Sequence, residues 1–110
     1  GNFFYNLGRI EQGFLQRPDL CAVDNQTNPR KYVGKFYIDS LVHSNESFEF
    51  IVNNLGSEKI ALGSDYPFPL GEQTPGKMIE TIDGLSTEDK KNIFHRSALN
   101  WLDLDKDTFI

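Results

Sequence analysis

Cysteine, long apolar runs and basic charge are all scarce in this sequence. Cys21 is the one cysteine in 110 residues, so no internal disulfide can form and no CxxC or Cys/His pattern offers a metal site. A reducing, cytoplasmic setting is the expectation, with Cys21 read as a small buried hydrophobe. No apolar stretch approaches the ~20 residues that cross a bilayer, and no basic start followed by an apolar segment marks a secretory signal. Eleven Lys and Arg against sixteen Asp and Glu give a net charge of -5. A face that neutralises phosphates is therefore not expected, which argues against nucleic acid or an anionic membrane as partner. His43 and His95 are isolated: no HxH or HExxH spacing occurs in the chain. His43 is read as a hydrogen-bonded structural residue and His95 as a surface one.

What is present suits one modest core, with 38% hydrophobic and 13% aromatic residues and no internal repeat. The chain opens directly on an aromatic run, NFFYNLGRI, without an initiator methionine or a cap. That reads as the interior of a larger protein. Phe3, Phe4, Leu7, Ile10, Phe14 and Leu15 recur at helical spacing over residues 3–16, and Pro18 closes the helix. An irregular stretch follows through Pro18, Asn25, Asn28 and Pro29. KFYIDSLVH, Lys35 to His43, reads as a strand. SNESFEFIVNNLG reads as a helix capped by Ser44 or Asn45 and stopped by Gly56, with Phe48, Ile51, Val52 and Leu55 on one face. EKIALGSD, Glu58 to Asp65, is a second strand. Two helices finish the chain: Thr74 to Ile82, with Pro75 at its first position, and Ser86 to about Leu102. STED opens the latter as a capping box with Asp89 in place of Glu or Gln. A break is expected near His95 to Ser97.

Strand, helix, strand, helix with short connections is a βαβ unit, whose two strands must lie parallel. Two strands alone make a poor parallel sheet, and no convincing third is present. Either they complete a sheet supplied elsewhere or the chain associates with itself, and the first is more economical.

At the C-terminal ends of parallel strands lie the functional groups of α/β sheets and barrels. Asp65 stands at such an end, inside KIALGSDYPFPLG. An ionised carboxylate at the edge of a core needs a partner. Two readings are open: Asp65 caps the following turn through its own backbone, or it holds a metal. Pro67 and Pro69 stiffen the loop and keep the ring of Phe68 at a set distance from the carboxylate, as a substrate wall requires. In LGRIEQGF, Gly8 and Gly13 weaken the helix by about 1 kcal/mol each, which suggests close approach by another backbone or a ligand. Arg9 between them is either a fork for a carboxylate or phosphate or an exposed arginine in a surface ion pair.

Three blocks carry a resemblance: GR…GF…RPDLC…DN…NP…Y, then FY.D.LVH, then LG.DYPFPLGE..PGK.IE. In this order and spacing, over Gly1 to about Leu104, they resemble the C-terminal third of the aminocarboxymuconate-semialdehyde decarboxylase family, a branch of the amidohydrolase-related metal enzymes. DYPFPLGE and RPDLC are the specific blocks; the strand-ending Asp alone would indicate only the superfamily. The resemblance implies a distorted (β/α)8 barrel, in which the whole of residues 1–110 is a C-terminal fragment holding the seventh and eighth strands. It implies a zinc-dependent, non-oxidative decarboxylase of tryptophan catabolism by the kynurenine pathway. Asp65 would be a zinc ligand or a close partner of the zinc site, and Phe68 a pocket wall. Arg9 would reach a substrate carboxylate in the neighbouring subunit of a homodimer. The family's other zinc-ligand histidines, its catalytic histidine and a second substrate arginine would lie upstream of Gly1. One departure is FHRSALNWL, where Ser97 occupies a position usually held by Asn, which bears on packing of the last helix. A related amidohydrolase-type hydrolase would share Asp65 but not PFPLGE. A catalytically inactive segment that binds a full-length partner through the helix around Arg9 is the alternative outside enzymes.

Overall fold

The computed structural model describes residues 2–109, which divide into two compact units at the junction of Phe36 and Tyr37.

The first unit is built on α1, Phe3–Gln16, over the span that the periodicity predicts. Leu7 is its buried residue, and Phe3 and Phe4 meet Phe36 with ring centroids 5.6 and 6.5 Å apart. Pro18, which lacks an N–H, does not continue α1 but starts a single helical turn, α2, Pro18–Cys21. Farther on, the Asn28 side chain accepts from the Arg30 N–H and so caps the tight turn Pro29–Tyr32. One expectation is corrected here: Cys21 is exposed rather than buried, because it ends a four-residue turn that has no buried residue. Among the described residues a Cβ at Gly8 would meet nothing within 4 Å, and one at Gly13 would reach Cys21 Sγ at an ordinary 3.5 Å.

In the second unit, β1 (Ile38–Asp39) pairs in parallel with β2 (Ile60–Ala61), Ile38 opposite Ile60 and Asp39 opposite Ala61. The crossover between them is α3, Asn45–Leu55. Ser44 Oγ accepts from the Ser47 N–H at its start, and Gly56, at φ 94°, stops it. Phe48, Ile51 and Leu55 form the buried face, as their spacing predicts.

Both strands are much shorter than the predicted 35–43 and 58–65, because the backbone on either side of the pairing finds other partners. Ser57–Lys59 is a tight helical turn. Beyond Ala61, the Leu62 N–H donates to Ile93 O at 2.9 Å, and the Gly63 N–H donates to Ser40 Oγ at 3.2 Å. The residues stay close and satisfied without extending the ladder.

The fourth helix, α4, covers only Lys77–Thr81 of the predicted 74–82. Gly76 precedes it at φ 84°, and a Cβ there would lie 2.6 Å from the Phe94 ring. The turn at Gly76 is therefore left-handed, and the helix begins after it. Ser86 and Asp89 form the expected capping box on α5, Thr87–Lys91. No break follows. The helix widens into a π-helical stretch, Asn92–Arg96, and continues as α6, Ser97–Leu102, with right-handed helical dihedrals at Asn92, Arg96 and Ser97. A π turn accommodates what a break would otherwise resolve. Beneath it Ser97, fully buried, donates to Ser57 O at 2.9 Å, and Asn92 Nδ2 donates to Ser57 Oγ at 3.0 Å. Ser97 thus packs with its hydroxyl satisfied, and its departure from Asn leaves the helix in place.

Two outcomes follow from these contacts. Ser97→Ala strips Ser57 O of its buried donor and should cost about 1–3 kcal/mol in urea denaturation; an unchanged midpoint would contradict the role given to this bond. In the first unit, Glu11 accepts from Arg30 at 2.7 Å and from Asn28 at 3.0 Å, and these bonds, Arg30's first, hold its carboxyl below its usual range. A carboxyl with a depressed folded pKa stabilises above its unfolded pKa and loses that contribution as pH falls through the folded value. Wild type should therefore melt above Glu11→Gln near neutral pH, the two converging below the ordinary carboxyl range; a pH-independent difference would refute this.

Candidate functional site

The loop at residues 64–72 leaves the sheet from the C-terminal end of β2. Its base is closed by the Glu72 N–H donating to Ser64 O at 2.9 Å. Inside it the Phe68 N–H donates to Asp65 O at 2.7 Å and the Gly71 N–H to Phe68 O at 3.0 Å, so two turns nest within one closure. The Tyr66–Pro67 peptide is cis. Gly71 is required by crowding: a Cβ there would collide with Ser64 O and lie 3.1 Å from both Asp65 O and Phe68 O.

Of the two readings of Asp65, capping of the following turn is met through its backbone, whose carbonyl accepts from the Phe68 N–H. The turn is capped by the Ser64 hydroxyl, which accepts from the Tyr66 N–H at 3.3 Å, and by the Asp65 backbone carbonyl. The Asp65 carboxylate takes no part. It is exposed, four residues past the end of β2, on a residue at φ 54°. Among the described residues it has no hydrogen-bond or ion-pair partner. A left-handed conformation is tolerated by Asp more readily than by most residues, and such positions concentrate where a side chain must be aimed.

Phe68 is two-thirds exposed and, with Ser64, Tyr66, Pro67, Glu72 and Pro75, lines a cavity of about 580 Å³. The loop therefore offers a carboxylate and an aromatic wall, held three residues apart by its own hydrogen bonds. Arg9 belongs to the other unit. It is exposed on α1 and borders a cavity of about 560 Å³ with Asn6, Ile10, Phe14 and Pro29. Glu11, its acidic neighbour in sequence, is held by Arg30. Arg9 itself is exposed, as the surface reading expects, and has no ion pair among the described residues.

Among the described residues no three His, Cys, Asp or Glu side chains gather to hold a metal. Asp65 fits as one oxygen ligand, whereas catalytic zinc takes three protein ligands. The remaining donors of such a site are not in this set.

His43 and His95 are both exposed, and His43 makes the structural hydrogen bond expected of it, to Leu70 O. The partner was not readable from sequence, since 27 residues separate the two. Gly71 was equally hidden: nothing local marks it apart from the prolines before it.

A parallel βαβ unit with an exposed carboxylate in the loop after a strand is an α/β arrangement, compatible with part of a (β/α)8 barrel. No protein-family model matches the chain. It is 52% identical over all 110 residues to a protein of Dictyostelium discoideum named 2-amino-3-carboxymuconate-6-semialdehyde decarboxylase, covering 31% of that protein. It is 40% identical over 99 residues to a Caenorhabditis elegans protein of the same name, covering 25% of it. The chain is thus a homologue of a segment of this decarboxylase family, as DYPFPLGE and RPDLC indicate, and spans about a third to a quarter of the length of these curated relatives.

Because a side chain at Gly71 would enter the space of Ser64 O, Gly71→Ala should open the loop closure. Amide exchange at Glu72 is expected to rise about tenfold or more, with α3 unaffected; unchanged exchange would mean that the crowding at Gly71 does not hold the loop.

Proposed function

We propose that this chain forms the C-terminal part of the active site of a zinc-dependent, non-oxidative decarboxylase acting on 2-amino-3-carboxymuconate-6-semialdehyde in tryptophan catabolism. The observation that carries the reading is Asp65: an exposed carboxylate without a partner among the described residues, in a self-closed loop beyond a parallel strand. The names and identities of the two relatives support the reaction class. A complete (β/α)8 barrel would supply the other strands, and the two parallel strands here are compatible with part of one.

In this reading Asp65 is one zinc ligand, completed by histidines from outside these 110 residues. Zinc when bound supplies water activated near neutral pH. Phe68 walls the pocket and excludes solvent from one side. Arg9, without an ion pair among the described residues, presents a planar fork to a substrate carboxylate, and does so across a homodimer into the neighbouring active site. Holding the carboxylates in place leaves one C–C bond aligned for cleavage. The carboxyl carbon departs as CO2, and the bonding electron pair stays on the remaining fragment, which takes up a proton. The cytoplasm is the proposed location.

The test is a chimera in which these 110 residues replace the matching segment of the Dictyostelium relative. It should release CO2 from the semialdehyde, and Asp65→Ala should lower zinc affinity or turnover by well over tenfold. Arg9→Ala should weaken substrate binding with zinc retained. The chain by itself should hold less than stoichiometric zinc and show no turnover. Hydrolysis without CO2 release would move the assignment to an amidohydrolase-type hydrolase, and full zinc retention in Asp65→Ala would remove Asp65 from the ligand set.

A further inference from the structure

The loop at 64–72 is held at its base by its own backbone, with the Glu72 carboxylate accepting from the Gly76 N–H at 3.1 Å just beyond it, and by one side chain from outside. The Glu72-to-Ser64 bond closes the base, but a loop pinned at its base alone can pivot about it. The outside tether comes from across the sheet: His43 Nε2 lies 2.7 Å from Leu70 O. A carbonyl only accepts, so the imidazole must carry its proton on Nε2 and donate. Among the described residues, His43 is the one side chain outside the loop that hydrogen-bonds to it.

The segment that carries His43 is itself held at both ends. Toward β1, Ser40 Oγ accepts from the Gly63 N–H at 3.2 Å and the Val42 N–H donates to Ser40 O at 3.0 Å. Toward α3, Ser44 caps the helix through its own side chain. Between these anchors His43 takes a left-handed conformation, φ 52°, which is uncommon outside glycine and needs support from its surroundings. His43 also borders a cavity of about 440 Å³ with Gly71, Glu72, Lys77 and Met78, at the C-terminal end of the loop.

From this arrangement we infer that His43 is a positioning residue: its hydrogen bond to Leu70 O sets the tilt of the 64–72 loop and thereby the placement of Asp65 and Phe68. Among the described residues it hydrogen-bonds to neither side chain, and it acts through the loop backbone at Leu70. The inference rests on the proposed decarboxylase reading for its catalytic consequence, but its structural content is independent of the reaction.

The experiment therefore has two arms, with His43→Ala removing the donor and His43→Gln offering an amide N–H in its place. In the 110-residue chain, amide exchange over residues 66–71 should rise about fivefold in His43→Ala, the effect of one ordinary hydrogen bond. Exchange in α3 should stay unchanged, and His43→Gln should remain near wild type. In the chimera with the Dictyostelium relative, His43→Ala should lower kcat/KM about tenfold through misplacement, and His43→Gln should recover it to within about threefold. Wild-type exchange and kcat/KM in His43→Ala would overturn the inference, and so would a glutamine variant as impaired as the alanine one. If His43→Ala does not fold, loop exchange in His43→Gln decides: near wild type supports the tether, and raised exchange refutes it. A chimera without any decarboxylation removes the functional reading, and the exchange arm still decides the role of His43.

Discussion

The second unit depends on a very short stretch of parallel pairing, Ile38 with Ile60 and Asp39 with Ala61, extended by one side-chain bond from the Gly63 N–H to Ser40 Oγ. Ser40 is fully buried, so its hydroxyl must be satisfied, and Gly63 comes close enough to satisfy it. A Cβ on Gly63 would lie 2.8 Å from Asp39 Cβ, which keeps a larger residue out of this crossing. Both chains leave the sheet at this point. The Asp65 loop follows Gly63 and the His43 segment follows Ser40, so the spacing of the two exits is inherited from that bond.

The C-terminal helix supports the same exits from below. Its π-helical stretch lets Ile93 O accept from the Leu62 N–H, which takes over where the ladder stops. Ser57, buried before β2, receives Asn92 on its hydroxyl and Ser97 on its carbonyl. Polar groups at the helix–sheet contact are thereby paired with one another, and fully buried Ile60, Ile79 and Ile93 fill the apolar part. A carboxylate can stand exposed in the loop because its backbone support is complete without it.

Much of this was legible in local sequence where one residue decides one local event. Ser44 as cap and Gly56 as stop, the Ser86–Asp89 box, the buried face of α3 and the full length of α1 all follow from side-chain chemistry acting within a turn or two. Strand length was not legible, because a strand is defined by its partner and the partner runs out after two residues. The limits of α4 were hidden in the Phe94 ring against Gly76, and the π stretch in the pull of Ser57 and Leu62 on the last helix. At the loop, DYPFPLGE carried the resemblance to the family, and capping through the Asp65 backbone was one of its readings. It did not reveal that the Ser64 hydroxyl shares the capping and that the carboxylate takes no part in it.

Sequence by itself determined the helices, their caps, the parallel order of the two strands and kinship to a decarboxylase family, because these rest on contacts close in the chain or on residues recurring as a block. Only the tertiary structure decided that Cys21 is exposed, that Arg9 lacks an ion pair among the described residues, that Gly71 is fixed by crowding and that His43 reaches Leu70. Each of these is settled by a neighbour or its absence in space, across separations over which a local pattern carries no information.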